Sequence, residues 1–312
     1  MTHLQRLVRS AKAFSHALTR VSSLGSTPPP KPKLAPKPKL GLALGGGFAR
    51  GLSHVGVLKV LEEEKIAIDY MAGTSVGSVI AAAFCSGVSA KELEEIAKMV
   101  RFRDFARWTV SRYGICNNDR MQEFLPRVVK VKTFEELKIP LAVAATDFVT
   151  GEPVVFQSGP ICDPVRASCA YPGMFAPVQV AGQWLVDGML GHAVPSTPLR
   201  EMGADYVIGV YLNAHWVQLR GPRHLFDVIG QCFSIAQARM SAQWRKDADL
   251  VLEPNVDGFS YDGFDRSAEL IASGERAMRA ALPALRKFLE GNSAVEDELL
   301  AKADAKPHLT AA

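Results

Sequence analysis

From residue 40 onward, short and wholly apolar runs alternate with longer stretches whose apolar positions recur every three to four residues. The first kind reads as buried strand and the second as amphipathic helix. Strands are predicted at Leu40–Leu44, Ile68–Ala72, Leu141–Thr146, Pro153–Phe156, Val178–Val180, Trp184–Val186, Tyr206–Leu212 and Leu250–Leu252. Helices are predicted at Leu52–Glu64, Val76–Cys85, Ala90–Val100, Asp119–Val129, Asp163–Ala170, Phe226–Gln243 and Arg266–Leu289. Thr150-Gly151 and Ala181-Gly182 supply hairpin turns. Strands alternating with helices predict an α/β fold with a mostly parallel central sheet flanked by helices.

The first 39 residues follow another pattern. Leu4, Leu7, Val8, Ala11, Phe14, Leu18 and Val21 are spaced as on one helix face, with Arg6, Arg9, Lys12 and Arg20 among them. A basic amphipathic segment over residues 1–25 fits three roles: a membrane-surface anchor, an organellar transit peptide, or a solvated tail. Residues 26–39 are rich in proline and lysine, which predicts an extended spacer. The predicted organisation is therefore the basic segment (1–25), the linker (26–39), one large domain (40–290) and a loose C-terminal tail (291–312).

Charge sharpens this division. The 312-residue chain has a formal net charge of +4, yet residues 1–40 hold eight Lys/Arg and no acidic residue. The remainder is mildly acidic, which disfavours nucleic acid as a partner. Five cysteines without a CxxC pair predict neither a disulfide framework nor a zinc site, and suit a reducing compartment. No apolar run is long enough for a membrane span. The expected location is the cytoplasm, with peripheral contact at the inner face of the membrane.

Two motifs carry chemistry. Gly73-Thr74-Ser75-Val76-Gly77 lies directly after a predicted strand and before a predicted helix. G-x-S-x-G in that context is a nucleophile elbow, a tight turn that exposes the serine hydroxyl beside a helix N-terminus. Gly45-Gly46-Gly47-Phe48-Ala49-Arg50-Gly51 also joins a strand to a helix. Its backbone N–H groups suit either a phosphate or an oxyanion. A serine nucleophile needs a base. His192, His215, His224 and His308 follow the elbow, but none occupies a self-evident catalytic loop. Asp187, at the end of the strand Trp184–Val186 and before Gly188, is the alternative.

Five stretches together resemble the patatin-like phospholipase family, particularly its bacterial members: Leu44–Leu58, Ala72–Gly77, Ala145–Pro153, Arg166–Pro177 and Val186–Pro195. The resemblance spans residues 40–289. It implies a three-layer patatin-like fold and a Ser–Asp dyad, with Ser75 as nucleophile and Asp187 as general base. It also implies an oxyanion hole from Gly46, Gly47, Phe48 and Ala49, supported by Gly45, Arg50, Gly51, Gly73, Gly77 and Gly188. No metal or other cofactor is implied. A carboxylate base needs a desolvated site that raises its pKa above the ordinary value of about 4. Phe48 and Met189 depart from the small residues usual in the family.

The implied function is a serine lipid acyl hydrolase acting on phospholipid or lysophospholipid esters. A transacylase or general carboxylesterase would use the same dyad. A non-catalytic lipid- or nucleotide-binding module would use the glycine loop alone. Residues 101–113 combine Phe102, Phe105, Trp108 and Tyr113 with Arg101, Arg103, Arg107 and Arg112. They suit either a membrane-facing or lid segment over the acyl site or a helix that packs its aromatics inward.

Overall fold

The computed structural model describes residues 38–111, 113–212, 225–260 and 262–304. The chain separates into a unit of residues 37–292 and a second of residues 1–36 with 293–312. The amphipathic segment, nearly all of the linker, Arg112, His215, His224 and His308 lie outside the described residues.

β1 (Leu40–Leu44) leads through the glycine loop and a 3-10 turn at Phe48–Leu52 into α1 (Ser53–Glu63). β2 (Tyr70–Thr74) leads through Ser75 into α2 (Val76–Cys85), followed by α3 (Ala90–Met99) and the single turn α4 (Phe102–Phe105). A hairpin of β3 (Arg107–Ser111) and β4 (Gly114–Asn117) precedes α5 (Met121–Val128), β5 (Leu141–Asp147) and β6 (Pro153–Phe156). Next come α6 (Cys162–Ser168), β7 (Val178–Val180), β8 (Gln183–Asp187) and α7 (Ser196–Glu201). β9 (Tyr206–Val210), α8 (Leu225–Arg245), β10 (Leu250–Leu252) and α9 (Ser267–Asp304) complete the order.

The main sheet runs β10-β9-β1-β2-β5-β8-β7, with β6 also paired to β5. β10, β9, β1, β2 and β5 are parallel, whereas β6 and β8 run antiparallel to β5. Buried parallel strands meet apolar layers on both faces, so their sequences are continuously apolar. β1 shows the alternation. Leu40, Leu42 and Leu44 enter the core shared with α1, α2, α3, α5 and α9, while Ala43 enters the core shared with α7 and α8. Helices therefore cover both faces, making three layers. α1 and α9 approach closely, because a Cβ on Gly274 would lie 1.8 Å from the Ser53 carbonyl oxygen.

Two features differ from the sequence reading. Residues 107–117 form a hairpin that the dense arginines disguise; Ser111 Oγ closes its turn by donating to the Gly114 carbonyl at 2.8 Å. The last helix continues to Asp304 instead of yielding to a loose tail at residue 291. Its Ala, Leu, Glu and Lys have high helix propensity, and no glycine or proline after Gly291 stops it before Asp304.

Candidate active site

The parallel strands β1 and β2 both deliver loops to their C-terminal ends, and these loops meet. Ser75 links β2 to α2 with φ 54° and ψ −129°, a conformation that a side-chain-bearing residue rarely adopts. Such a backbone costs about 1–3 kcal/mol and needs tight surroundings to hold it. Gly73 and Gly77 allow them. A Cβ at Gly77 would stand 2.2 Å from the Leu44 carbonyl oxygen, and one at Gly73 would stand 2.5 Å from Ser78 Cα. The turn is fixed further by the Ser75 N–H donating to Ser168 Oγ at 2.8 Å and by Ser78 Oγ donating to the Ser75 carbonyl at 2.6 Å.

The glycine loop passes directly over the serine. A Cβ on Gly46 would lie 3.2 Å from Ser75 Cβ and 2.6 Å from the Met189 sulfur. Gly45 donates its N–H to the Val210 carbonyl at 3.0 Å, and Arg50 donates its own to Gly47 at 3.2 Å, so both ends of the loop are pinned. Gly47 packs on Leu212 and Gly51 on Val76. Ala49 is fully buried, and Phe48 takes a positive φ of 52°. Below the loop, His54 is wholly buried and bonds the Gly45 carbonyl through Nε2 at 2.8 Å. Burial lowers its pKa to about 4, so the ring is neutral at pH 7 and Nε2–H is the donor. Arg50 is also buried and donates Nε–H to the Phe259 carbonyl at 2.9 Å. Burial lowers its pKa to about 10, with Asp257 opposing, which still leaves a cation at neutral pH.

Asp187 arrives from the other direction, at the end of antiparallel β8. Ser75 Oγ donates to Asp187 Oδ2 at 2.8 Å. Asp187 Oδ1 accepts the Met189 N–H at 2.9 Å, so each carboxylate oxygen has a donor. The Asp187 backbone is tied by its N–H to Ala170 O at 3.0 Å, and Thr146 Oγ1 donates to its carbonyl at 3.0 Å. Gly188 permits this approach, because a Cβ there would lie 2.2 Å from the Ala144 carbonyl oxygen. Asp187 is 0% exposed. Burial pushes its pKa up to about 7, against the opposing bonds from Met189 and Ser75. His192 does not hold Ser75: its carbonyl accepts from Thr74 Oγ1 at 2.7 Å, and burial lowers its ring pKa.

Beside Ser75 opens an apolar cavity of about 110 Å³. Val76, Val79, Ile80 and Ala83 line it along α2, and Phe48 and Phe175 are also in its wall. The aromatic stretch at 101–113 divides its rings. Phe102 stacks on Phe175 and Phe105 meets Phe264 edge-on, while Trp108 and Tyr113 are 66% and 62% exposed. Sequence reasoning missed Ser168 and the Met189 N–H. Ser168 lies within the quoted Arg166–Pro177 stretch, but only folding brings it to the elbow.

A three-layer α/β sheet with a serine at a strand-to-helix elbow and a facing aspartate defines the class. The patatin-like phospholipase family profile matches residues 42–200, about half of the chain, and the chain belongs to that family. An uncharacterized NTE family protein of Mycobacterium tuberculosis is 36% identical over 179 residues, covering 56% of this chain and 49% of its own length. Patatin-like phospholipase domain-containing protein 6 of Mus musculus is 32% identical over 184 residues, covering 55% of this chain and 13% of its own. The chain thus spans about half or less of the length of these relatives. The crystal structure of VipD from Legionella pneumophila shares the fold, with a TM-score of 0.54 at 14% identity, covering 80% of this chain and 67% of that one. Among the described residues, no helix is long and apolar enough to cross a membrane.

Proposed function

We propose that this chain is a serine lipid acyl hydrolase that cleaves fatty-acyl esters of phospholipids or lysophospholipids through Ser75 and Asp187. The observation that carries the reading is the 2.8 Å bond from Ser75 Oγ to a buried carboxylate whose pKa stands at about 7. That value suits a general base, because at neutral pH a large fraction is ionised and still basic enough to take a proton. Asp187 accepts the Ser75 proton as Oγ attacks the ester carbonyl. The amides of Gly46, Gly47, Phe48 and Ala49 hold the tetrahedral oxyanion, aided by the N-terminus of α2. Protonated Asp187 returns the proton to the departing alcohol. Water, deprotonated by Asp187, then releases the fatty acid. The apolar cavity takes the acyl chain.

The exposed Trp108 and Tyr113 support contact with a lipid surface, with exposed Arg101, Arg103 and Arg107 nearby to meet anionic head groups. Labelling by a fluorophosphonate tests the core of the reading. Wild-type protein reacts and turns over acyl esters, Ser75→Ala does neither, and Asp187→Asn loses turnover. An unlabelled, inactive wild type refutes the enzyme, and a fully active Asp187→Asn refutes the dyad.

A further inference from the structure

His54, in the first turn of α1, is wholly buried and hydrogen-bonds neither Ser75 nor Asp187. Its ring makes one hydrogen bond among the described residues, from Nε2 to the Gly45 carbonyl at 2.8 Å. Nδ1 is buried without a partner. A buried polar atom in that state costs about 1–3 kcal/mol, so packing alone favours an apolar side chain here. What the imidazole supplies in return is the bond to Gly45.

That bond falls on a peptide group with unusual freedom. Gly45 and Gly46 flank it, and neither has a Cβ to resist rotation of the plane between them. No other hydrogen bond among the described residues reaches the Gly45 carbonyl. The peptide is trans, so its C=O and N–H point opposite ways. With the carbonyl held toward His54, the Gly46 N–H points away from the His54 ring. Gly46 itself lies against the nucleophile, since a Cβ there would stand 3.2 Å from Ser75 Cβ. Its N–H and that of Gly47 have no hydrogen-bond partner among the described residues, and both glycines are half-buried rather than sealed. Unpartnered, accessible amides beside Ser75 suit a developing oxyanion. Were the plane to turn over, the Gly45 carbonyl oxygen would take the place of the Gly46 N–H and repel that charge.

We propose that His54 is a positioning residue: it locks the Gly45–Gly46 peptide so that the Gly46 N–H faces the oxyanion formed at Ser75. This role rests on the acyl-hydrolase reading of Ser75 and Asp187. As Ser75 Oγ bonds to the acyl carbon, the carbonyl π pair moves onto oxygen and the Ser75 proton passes to Asp187. His54 exchanges no proton and touches no substrate. It acts through the loop, so its effect appears where charge develops and not where the ester binds.

The test compares wild type, His54→Leu, His54→Gln and Ser75→Ala of the full chain on p-nitrophenyl octanoate. For the first three, kcat is taken per serine titrated by a fluorophosphonate, so unfolded protein drops out. His54→Leu fills the space but donates nothing: kcat falls about 10–100-fold while KM stays within about threefold. Inhibition by an octyl trifluoromethyl ketone, which Ser75 converts into a hemiketal oxyanion, weakens by the same factor. His54→Gln, whose amide can donate to Gly45, holds kcat within about fivefold of wild type. Wild-type kcat in His54→Leu, equal losses in both variants, a rise in KM alone, or a lowered kcat with unchanged ketone inhibition overturns the role of His54 while the Ser75 reading stands. A wild type no more active than Ser75→Ala overturns the acyl-hydrolase reading and the His54 role with it.

Discussion

Replacing Asp187 by Asn makes the protein more stable at pH 8 while abolishing its activity. Folding moves this carboxyl from 3.8 to about 7, and burial is the main cause. The folded state therefore holds the proton more tightly than the unfolded state does. The sign follows from linkage: stability is full below about pH 3.8, declines as the unfolded chain ionises, and levels off above about pH 7. Each tenfold difference in acidity is worth about 1.4 kcal/mol, so the ionised carboxylate costs the folded state about 4 kcal/mol at pH 8. Asn carries no charge to desolvate. Its oxygen keeps the bond from the Met189 N–H, and its amide donates to Ser75 Oγ. Urea unfolding at pH 4.5 and pH 8 measures the effect. The advantage of Asp187→Asn over wild type is small at the lower pH and approaches about 4 kcal/mol at the higher. A difference independent of pH, or a less stable variant at pH 8, refutes the reasoning that Asp187 is a desolvated base.

The same titration sets the activity profile: kcat/KM rises with pH through about 7 in wild type, and a profile already flat above pH 5 would contradict the raised value. The cavity follows α2 from Ser75 to Ala83, eight residues and about 12 Å of helical rise. C–C bonds of about 1.5 Å meeting at about 111° advance about 1.25 Å per carbon, so this length spans about ten carbons. Ala83→Phe therefore lowers kcat/KM about tenfold or more on decanoyl and longer esters relative to butyryl esters, measured across an acyl series. Replacing Trp108 and Tyr113 together by Ala reduces co-sedimentation with phosphatidylglycerol vesicles and leaves turnover of a water-soluble ester near wild type; unchanged sedimentation removes the membrane role of the hairpin.

Much of this protein is local and can be read along the chain. The apolar runs of β1, β2 and β9 follow from burial on both sheet faces, and the elbow and glycine loop each lie within seven consecutive residues. The β3–β4 hairpin was not legible. Its alternation is interrupted by arginines, and its exposed Trp108 packs only against Phe102 of the preceding helical turn among the ring contacts of the described residues. The end of α9 was misread because composition alone did not separate a continued helix from a tail.

By itself, the sequence determined the order of strands and helices and the two glycine-rich turns, because propensity, steric freedom and apolar period act over neighbouring residues. The resemblance pointed to Asp187, but only the tertiary structure brings its carboxylate within 2.8 Å of Ser75 Oγ across 112 residues. It also decided that Asp187 is stripped of water and that Ser168 and the Met189 N–H brace the pair. Burial and electrostatic environment are sums over atoms distant in sequence. They exist only once the sheet brings those atoms together.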